Sequence, residues 1–382
     1  MEADWSDLPR DILLSIAERM ANLSDYTRLG AVCKPWRTAF VGIPRPLHLR
    51  FPLLFLSSRN TANSNNGPDH ALYSPLERKV HPVKLPERRR PGRCIGSSSD
   101  GWVCMVDDDS LDIYLFDPFS GVVVHLPCLF GDENLFKAVW SAKPTDPNFI
   151  IVLFKLDPHS MVYCRTGDAQ WTFMHNSLRL ADLKCVSDAI FYKEKLYLLE
   201  DEEGRIVAVD LLHQEVEEIW IPKLVYSVLS IGFKRMYLAA GPSGLLFIAR
   251  QMKVSTNWWQ ERDVQVQLET GRFRIFEVDE TMTKWKERES LGDGMLFLGL
   301  NASMWLSSSN FQQCKRNSIY FTDDSSYNNT FCFSVTENRA CLPTFGLDSG
   351  VFHLEDRSFD SIIYGHDMKL LYPNTVWVVP NP

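Results

Sequence analysis

The sequence predicts an α+β chain in two parts: a small N-terminal module of three short helices, then an all-β domain, a β-propeller of about six irregular blades. Three observations predict this. Residues 1–45 carry helical periodicity together with helix-boundary residues. From about Ser97 onward, short apolar runs alternate with tight polar turns, the pattern of a β-meander. Within that region an apolar run repeatedly ends in an acid and a turn, as at Phe116-Asp117, Val209-Asp210 and Val278-Asp279. A large β-sandwich or an open meander is the alternative. Residues 46–96 read as a linker with one or two strands and a flexible Asn/Ser-rich loop, giving domains of 1–45, 46–96 and 97–382.

In the first helix, Pro9 suits the first helical position, where no amide donor is needed, and Asp11 in the first turn complements the helix dipole. At about 100° per residue, Ile12, Ile16, Met20, Leu13 and Ala17 share one side, with Leu14 further round. The apolar arc is roughly 200°, about twice the stripe one packing surface requires. A second helix starts at Ser24, a good N-cap, and carries Leu29, Val32 and Cys33 inward. Pro35 ends it by pushing Lys34 out of helical geometry, and Trp36 to Phe40 begin a third. Three helices this short bury little surface, so the wide apolar face asks for a partner.

The order Leu8-Pro9, a Leu/Ile-rich helix, then Val32-Cys33-Lys34-x-Trp36-Arg37 resembles the F-box. The chain as a whole, opening Met-Glu-Ala-Asp-Trp-Ser-x-Leu-Pro, is similar to plant F-box proteins whose C-terminal part is a kelch-like, β-rich domain of unknown function. Tyr26 and Thr27 depart from the usual apolar pair after the acid. The resemblance implies docking on a Skp-type adaptor and, through it, a cullin-based ubiquitin ligase. Carried onto this sequence, the adaptor contacts are Leu8, Pro9, Ile12, Leu13 and Ile16, continued by Val32, Cys33, Trp36 and Arg37.

Bulk properties agree with an ordinary soluble protein. Of 382 residues, 45% are hydrophobic and 23% charged, and the net charge of −8 argues against nucleic acid as the main ligand. No run approaches a membrane span, and no secretory signal opens the chain. The nine cysteines are scattered without a C-x-x-C pair, so a reducing intracellular location, nucleus or cytoplasm, is expected. Asn301-Ala-Ser303 and Asn328-Asn-Thr330 then match the glycosylation pattern by chance. Arg88-Arg89-Arg90 is either a nuclear import signal or a solvated loop.

Along the β-domain, Gly101 to Val106, Leu111 to Phe116 and Val122 to Leu126 form a first meander. Phe149 to Leu156 and Met161 to Arg165 follow, then Ala189 to Tyr192, Lys195 to Leu199, Ile206 to Asp210 and Val216 to Ile221. Met236 to Ala240, Gly244 to Ala249 and Arg272 to Val278 repeat the pattern, as do Met295 to Leu300, Ser318 to Phe321 and Thr330 to Val335. Val351 to Leu354 and Val376 to Val379 close the series. The spacing of about 35 to 60 residues fits blades with unequal loops.

Catalytic signatures are scarce. There is no glycine-rich phosphate loop, no nucleophile elbow and no zinc spacing among the nine histidines. His125, His213 and His353 read as structural, and the acids of Asp107 to Asp109 and Asp323-Asp324 as wet turns rather than a metal site. Trp102, Trp140, Trp171, Trp220, Trp285, Trp305 and Trp377 read as packing between sheets. Trp258-Trp259, in a polar stretch, stand out as a candidate substrate contact. The expected function is therefore non-catalytic, without cofactor or metal. The protein would be the substrate-recognition subunit of an SCF-type ligase for an unknown protein substrate, or else a scaffold with an F-box and no degradative role. An enzyme or small-ligand sensor would need convergent polar groups in one pocket.

Overall fold

The computed structural model describes residues 4–20, 23–40, 46, 49–57, 70–83, 85, 92–107, 110–129, 135–155, 161–174, 180, 183, 186–200, 204–223, 225–226, 234–259, 263–279, 281–311, 314–324, 348–362 and 375–380. A 3-10 turn (Trp5–Asp7) leads into α1 (Arg10–Glu18), α2 (Leu23–Leu29) and α3 (Lys34–Phe40). The chain then enters the β-domain through β1 (Leu53–Ser57), β2 (His70–Ser74) and β3 (Lys79–Val83). Four antiparallel meanders follow. The first blade holds β4 (Gly92–Ser97), β5 (Val103–Asp107), β6 (Ile113–Phe116) and β7 (Val123–His125). The second holds β8 (Leu135–Trp140), β9 (Ile150–Lys155), β10 (Met161–Arg165) and β11 (Thr172–Phe173). The third holds β12 (Val186–Tyr192), β13 (Lys195–Glu200), β14 (Arg205–Asp210) and β15 (Glu215–Trp220). The fourth holds β16 (Lys234–Ala240), β17 (Leu245–Trp259), β18 (Asp263–Val278) and β19 (Trp285–Arg288).

The fifth blade departs from the meander. It comprises β20 (Gly294–Leu298), β21 (Met304–Ser307), β22 (Ser318–Phe321), β23 (Gly350–His353) and β24 (Phe359–Asp360), in the spatial order β21-β20-β22-β23-β24. β20 runs parallel to β22, so β21 takes the innermost place. The sixth blade closes the ring. The last strand, β25 (Val376–Val378), pairs antiparallel with β1, in the order β25-β1-β2-β3. The domain is thus a six-bladed propeller. Residues 46–96 are no linker: they supply three strands of the closing blade and the first strand of the next.

Six apolar clusters fill the six seams. One joins the closing blade to the first through Leu53, Phe55, Val103 and Met105. Another joins second to third through Val152, Phe154, Leu196 and Val207. Each sheet is packed on both faces, which is why its middle strands read as unbroken apolar runs: every residue of β5, β6 and β20 is buried. The acid-terminated strands turn as expected. Asp117 accepts the Phe119 amide at 2.9 Å, Asp210 those of Leu212 and His213 at 2.9 Å, and Asp279 those of Thr283 and Lys284 at 3.0 Å.

Polar residues hold the inner ring. β4, β8 and β12 each carry a bulge, at Cys94/Gly96, Leu135/Lys137 and Val186/Asp188. A side chain on Gly96 would strike the Ala138 carbonyl of the next blade. Lys137 pairs with buried Asp188, which also accepts the Ala189 amide at 2.8 Å and the Leu238 amide at 2.7 Å. One carboxylate therefore ties the innermost strands of three blades. Burial pushes its pKa up, while the Lys137 ammonium opposes that shift. Between β20 and β21 the chain reaches over to the first blade, where the Ala302 amide donates to Ser97 at 3.2 Å and Leu300 joins the seam cluster.

Trp102, Trp140 and Trp377 are buried between sheets, but Trp220 is exposed on β15. Asn301 is fully buried, so its glycosylation match is without effect. The Asn/Ser-rich loop, Arg88-Arg89-Arg90, the expected strand at Thr330 to Val335 and the second glycosylation match lie outside the described residues.

Trp377→Ala is expected to cost about 3–5 kcal/mol, since the ring is wholly enclosed at the closing seam. A lowered urea midpoint with an unchanged slope checks this. The Asp210 carboxyl is held at about 2, chiefly by the His213 amide and side chain. Its folded value lies below the unfolded one, so its contribution is present above the ordinary carboxylate range and fades as pH falls through about 2. A carboxyl titration followed by NMR, with Asp210→Asn as reference, measures it.

Candidate functional site

The helical module builds its own small core. Leu13 and Ala17, one turn apart on α1, meet Leu29 of α2 and Trp36 of α3; Leu8, Ile16, Met20, Tyr26, Cys33, Ala39 and Phe40 pack around them. The cluster contains no residue from a strand. Trp36 donates its indole N–H to the Trp5 carbonyl at 2.9 Å, closing the 3-10 turn over α3. Arg10 Nε donates to the Ala39 carbonyl at 3.2 Å, tying the start of α1 to α3.

Local boundaries differ from expectation in three places. Pro9 is the residue before α1, not its first: its carbonyl accepts the Ile12 and Leu13 amides at 3.1 and 3.2 Å. Ser24 lies within α2 rather than capping it, and α2 ends at Leu29, leaving Val32 and Cys33 in the turn. Pro35 sits in the first turn of α3, where its missing amide costs nothing, so it starts a helix and does not stop one.

The nine candidate adaptor contacts divide accordingly. Leu13 and Trp36 are buried in the module's own core. Leu8, Ile16 and Cys33 are half-buried against it. Pro9 and Arg37 are exposed, and so are two large apolar side chains, Ile12 at 48% and Val32 at 63%. Trp5, not among the nine, is more exposed still. A wide apolar arc on a short helix shows that two surfaces exist; which half faces inward depends on where the other two helices lie.

Trp258 and Trp259 are not in a loop. They end β17, paired in register with Val264 and Asp263 at the far end of a long two-stranded ribbon. β17 and β18 pair over their full lengths, whereas β16 and β19 flank only the part near Leu245 to Gln251 and Ile275 to Val278. The ribbon leaves the blade at a bulge, Gln251/Met252.

Among the described residues, several chemistry-bearing side chains take part in structural contacts. His353 Nδ1 lies 2.9 Å from Ser318 Oγ, and its Nε2 lies 2.9 Å from Asp360 Oδ2. The serine is wholly buried, so this Ser–His–Asp set offers no nucleophile to a substrate and serves to clip β22, β23 and β24 together. The His353 side chain and Lys315 together hold Asp360 below the usual carboxylate range. His213 and His125 are exposed. Asp324, expected in a wet turn, is buried: it takes Tyr237 Oη at 2.8 Å and Arg235 at 3.1 Å. Beside it Arg250 bonds Thr270 Oγ1 at 2.7 Å, the Thr322 carbonyl at 2.9 Å and Asp348 at 2.6 Å, joining the fourth blade to the fifth. Nothing in the local sequence announces this arginine, because its partners come from distant segments. Among the described residues, no group of three His, Cys, Asp or Glu could hold a metal ion.

Trp36→Ala is expected to cost about 3–5 kcal/mol and to melt the small module, read as lost helical circular dichroism with the propeller's thermal transition retained. Val32→Ser should change neither signal.

Two family models match the chain. One, described as F-box-like, covers residues 5–42; the other, the KIB1-4 beta-propeller, covers residues 72–352. Among curated relatives from Arabidopsis thaliana, the F-box/kelch-repeat protein At1g57790 is 23% identical over 98% of this chain and 94% of its own length. The F-box protein At2g26160 is 23% identical over 84% of this chain and 96% of its own, and the F-box protein At2g05970 is 24% identical over 84% and 85%. A self-cored helical module in front of a six-bladed ring, with these two matches laid along it, places the chain in the plant F-box proteins of the KIB1-4 β-propeller family.

Proposed function

We propose that the protein is the substrate-recognition subunit of an SCF-type ubiquitin ligase. Its helical module docks on a Skp-type adaptor and through it reaches a cullin, while the propeller holds a protein substrate. The observation that carries this reading is the module's spare apolar surface. Leu13, Ala17, Leu29 and Trp36 are used internally, yet Ile12 and Val32 stay exposed on a unit with no strand in its core. Exposed apolar side chains on so small a unit favour a protein partner, and buried anchors of this kind dominate such contacts. The F-box relatives support the same assignment.

The chemical contribution is proximity. Holding a substrate beside a ubiquitin-charged enzyme raises the effective concentration of its lysines without a bond-making group on this chain. The site of action is the nucleus or cytoplasm. Buried thiols support a reducing compartment: Cys94, Cys104 and Cys164 lie within the apolar seams, and desolvation raises Cys94 and Cys164 to about 12, which keeps them as neutral apolar groups.

The double variant Ile12→Asp with Val32→Asp tests the reading, because both positions are exposed and the module should keep its core. Co-purification with the Skp-type adaptor is expected to fall by at least about tenfold, equivalent to about 1.4 kcal/mol, with helical content unchanged. Retained co-purification removes the assignment. In cells, a bound partner whose lifetime is unaltered by proteasome inhibition would point to a scaffold without degradative output.

A further inference from the structure

The third blade presents an outer strand unlike its neighbours. Among the described residues, β15 is the last strand of its sheet, and nothing pairs on its far side. The Ile221 amide donates to the Gly204 carbonyl at 3.0 Å, and Arg205 stands opposite Trp220. In an antiparallel pair the bonded positions alternate. The amides and carbonyls of Glu215, Glu217 and Ile219 therefore serve β14, and those of Val216, Glu218 and Trp220 face the open edge.

The side chains at those outward positions are also accessible. Val216 stands opposite Val209 and Glu218 opposite Val207, and both valines belong to the seam with the second blade. Among the described residues, that blade's outer strand β11 is two residues long, against six in β15. Val216 is left 40% exposed, Trp220 56% and the neighbouring turn residue Leu212 65%. Trp220 is held in place: the Arg205 guanidinium lies 5.7 Å from its ring centre, bonds Glu218 at 2.6 Å and pairs with buried Glu200.

Charge selects the occupant. Glu215, Glu217 and Glu218 put three exposed carboxylates on six residues; Lys195 at 3.5 Å meets Glu217, and Arg205 is shared between Glu200 and Glu218. A second copy of this strand would set like charges face to face, which opposes self-pairing. A strand rich in lysine or arginine would meet the carboxylates and could lay an apolar residue against Val216 and Trp220.

We propose that the edge of β15 is a docking site for an extended, basic segment of the recruited protein, which adds to the third blade as a fifth strand. The proposal rests on the substrate-recognition reading above and names the substrate's binding feature.

The test uses the full chain and two labelled synthetic peptides, one alternating lysine with valine and tyrosine, the other with glutamate in place of lysine. Fluorescence anisotropy is expected to show the lysine peptide binding at least about tenfold tighter. Val216→Pro removes only an outward amide, a change edge strands tolerate, and should abolish that binding at an unchanged melting temperature. Glu215→Lys with Glu217→Lys should reverse the peptide preference. No binding, equal binding of both peptides by the unaltered protein, or a preference untouched by the double charge reversal overturns the proposal. Adaptor co-purification, measured on the same variants, should be unchanged. Its absence in the unaltered protein would sink the ligase reading and leave the peptide result to stand or fall separately.

Discussion

The molecule depends on one pairing between residues more than three hundred positions apart: Leu53, Leu54 and Phe55 of β1 against Val378, Trp377 and Val376 of β25. Until that ladder forms, the first and fifth blades each leave an apolar face uncovered, and the six seams cannot all be dry. Closure removes both open faces at once, which is how a propeller avoids exposed sheet surfaces. It also decides where the helical module is attached. α3 ends at Phe40 and β1 begins at Leu53, so the module is joined directly to the closing blade. A connection of that length spans at most about 47 Å even if fully extended. The helices and the propeller are therefore tethered within a bounded distance of each other, which the proposed delivery by proximity would use.

Most of the β-domain was legible because its strands are buried on both faces. Runs such as Val103 to Val106 and Leu296 to Leu298 carry no polar interruption, and no other local structure explains them so simply. The acid turns were legible for a separate reason: Asp117, Asp210 and Asp279 each satisfy backbone amides within five residues, so the motif is local. What could not be read was non-local. Nothing in Leu53 to Val83 says that its sheet partner is the C-terminal strand, and a strand-like segment next to a polar loop resembles a linker. Two inner strands were obscured by their own polar residues. β4 and β8 carry Arg93 and Lys137, which look like loop residues until the bulges and the Lys137–Asp188 pair are seen.

The helical module was legible in kind and not in detail. Its residues announce three helices, and Leu13, Leu29 and Trp36 do share a core. The division between internal packing and a free surface is a tertiary matter, and it places Trp36, one of the candidate contacts, in the module's core. The Trp258-Trp259 pair shows the same limit in the β-domain. A polar stretch between two apolar runs suggests a loop, whereas Ser255, Thr256 and Asn257 are paired residue for residue with Gln267, Val266 and Gln265. Over these residues no third strand flanks the pair, and a two-stranded ribbon need not carry the continuous apolar run of a middle strand.

Buried and exposed apolar residues occupy different radii of the ring. The large side chains with the least exposure, among them Phe55, Tyr114, Phe154, Phe247 and Trp377, lie in the seams. Among the described residues of the β-domain, the exposed large apolar ones, Val122, Phe173, Leu212, Val216, Trp220 and Phe359, lie on outer strands or the turns beside them. A substitution in a seam disturbs two blades at once, because each seam is shared. One on an outer strand disturbs at most its own blade edge. Substitutions at the rim therefore cost less stability than those in a seam. Among the described residues, the rim of the third blade sets an aromatic ring fixed by Arg205 beside a row of carboxylates.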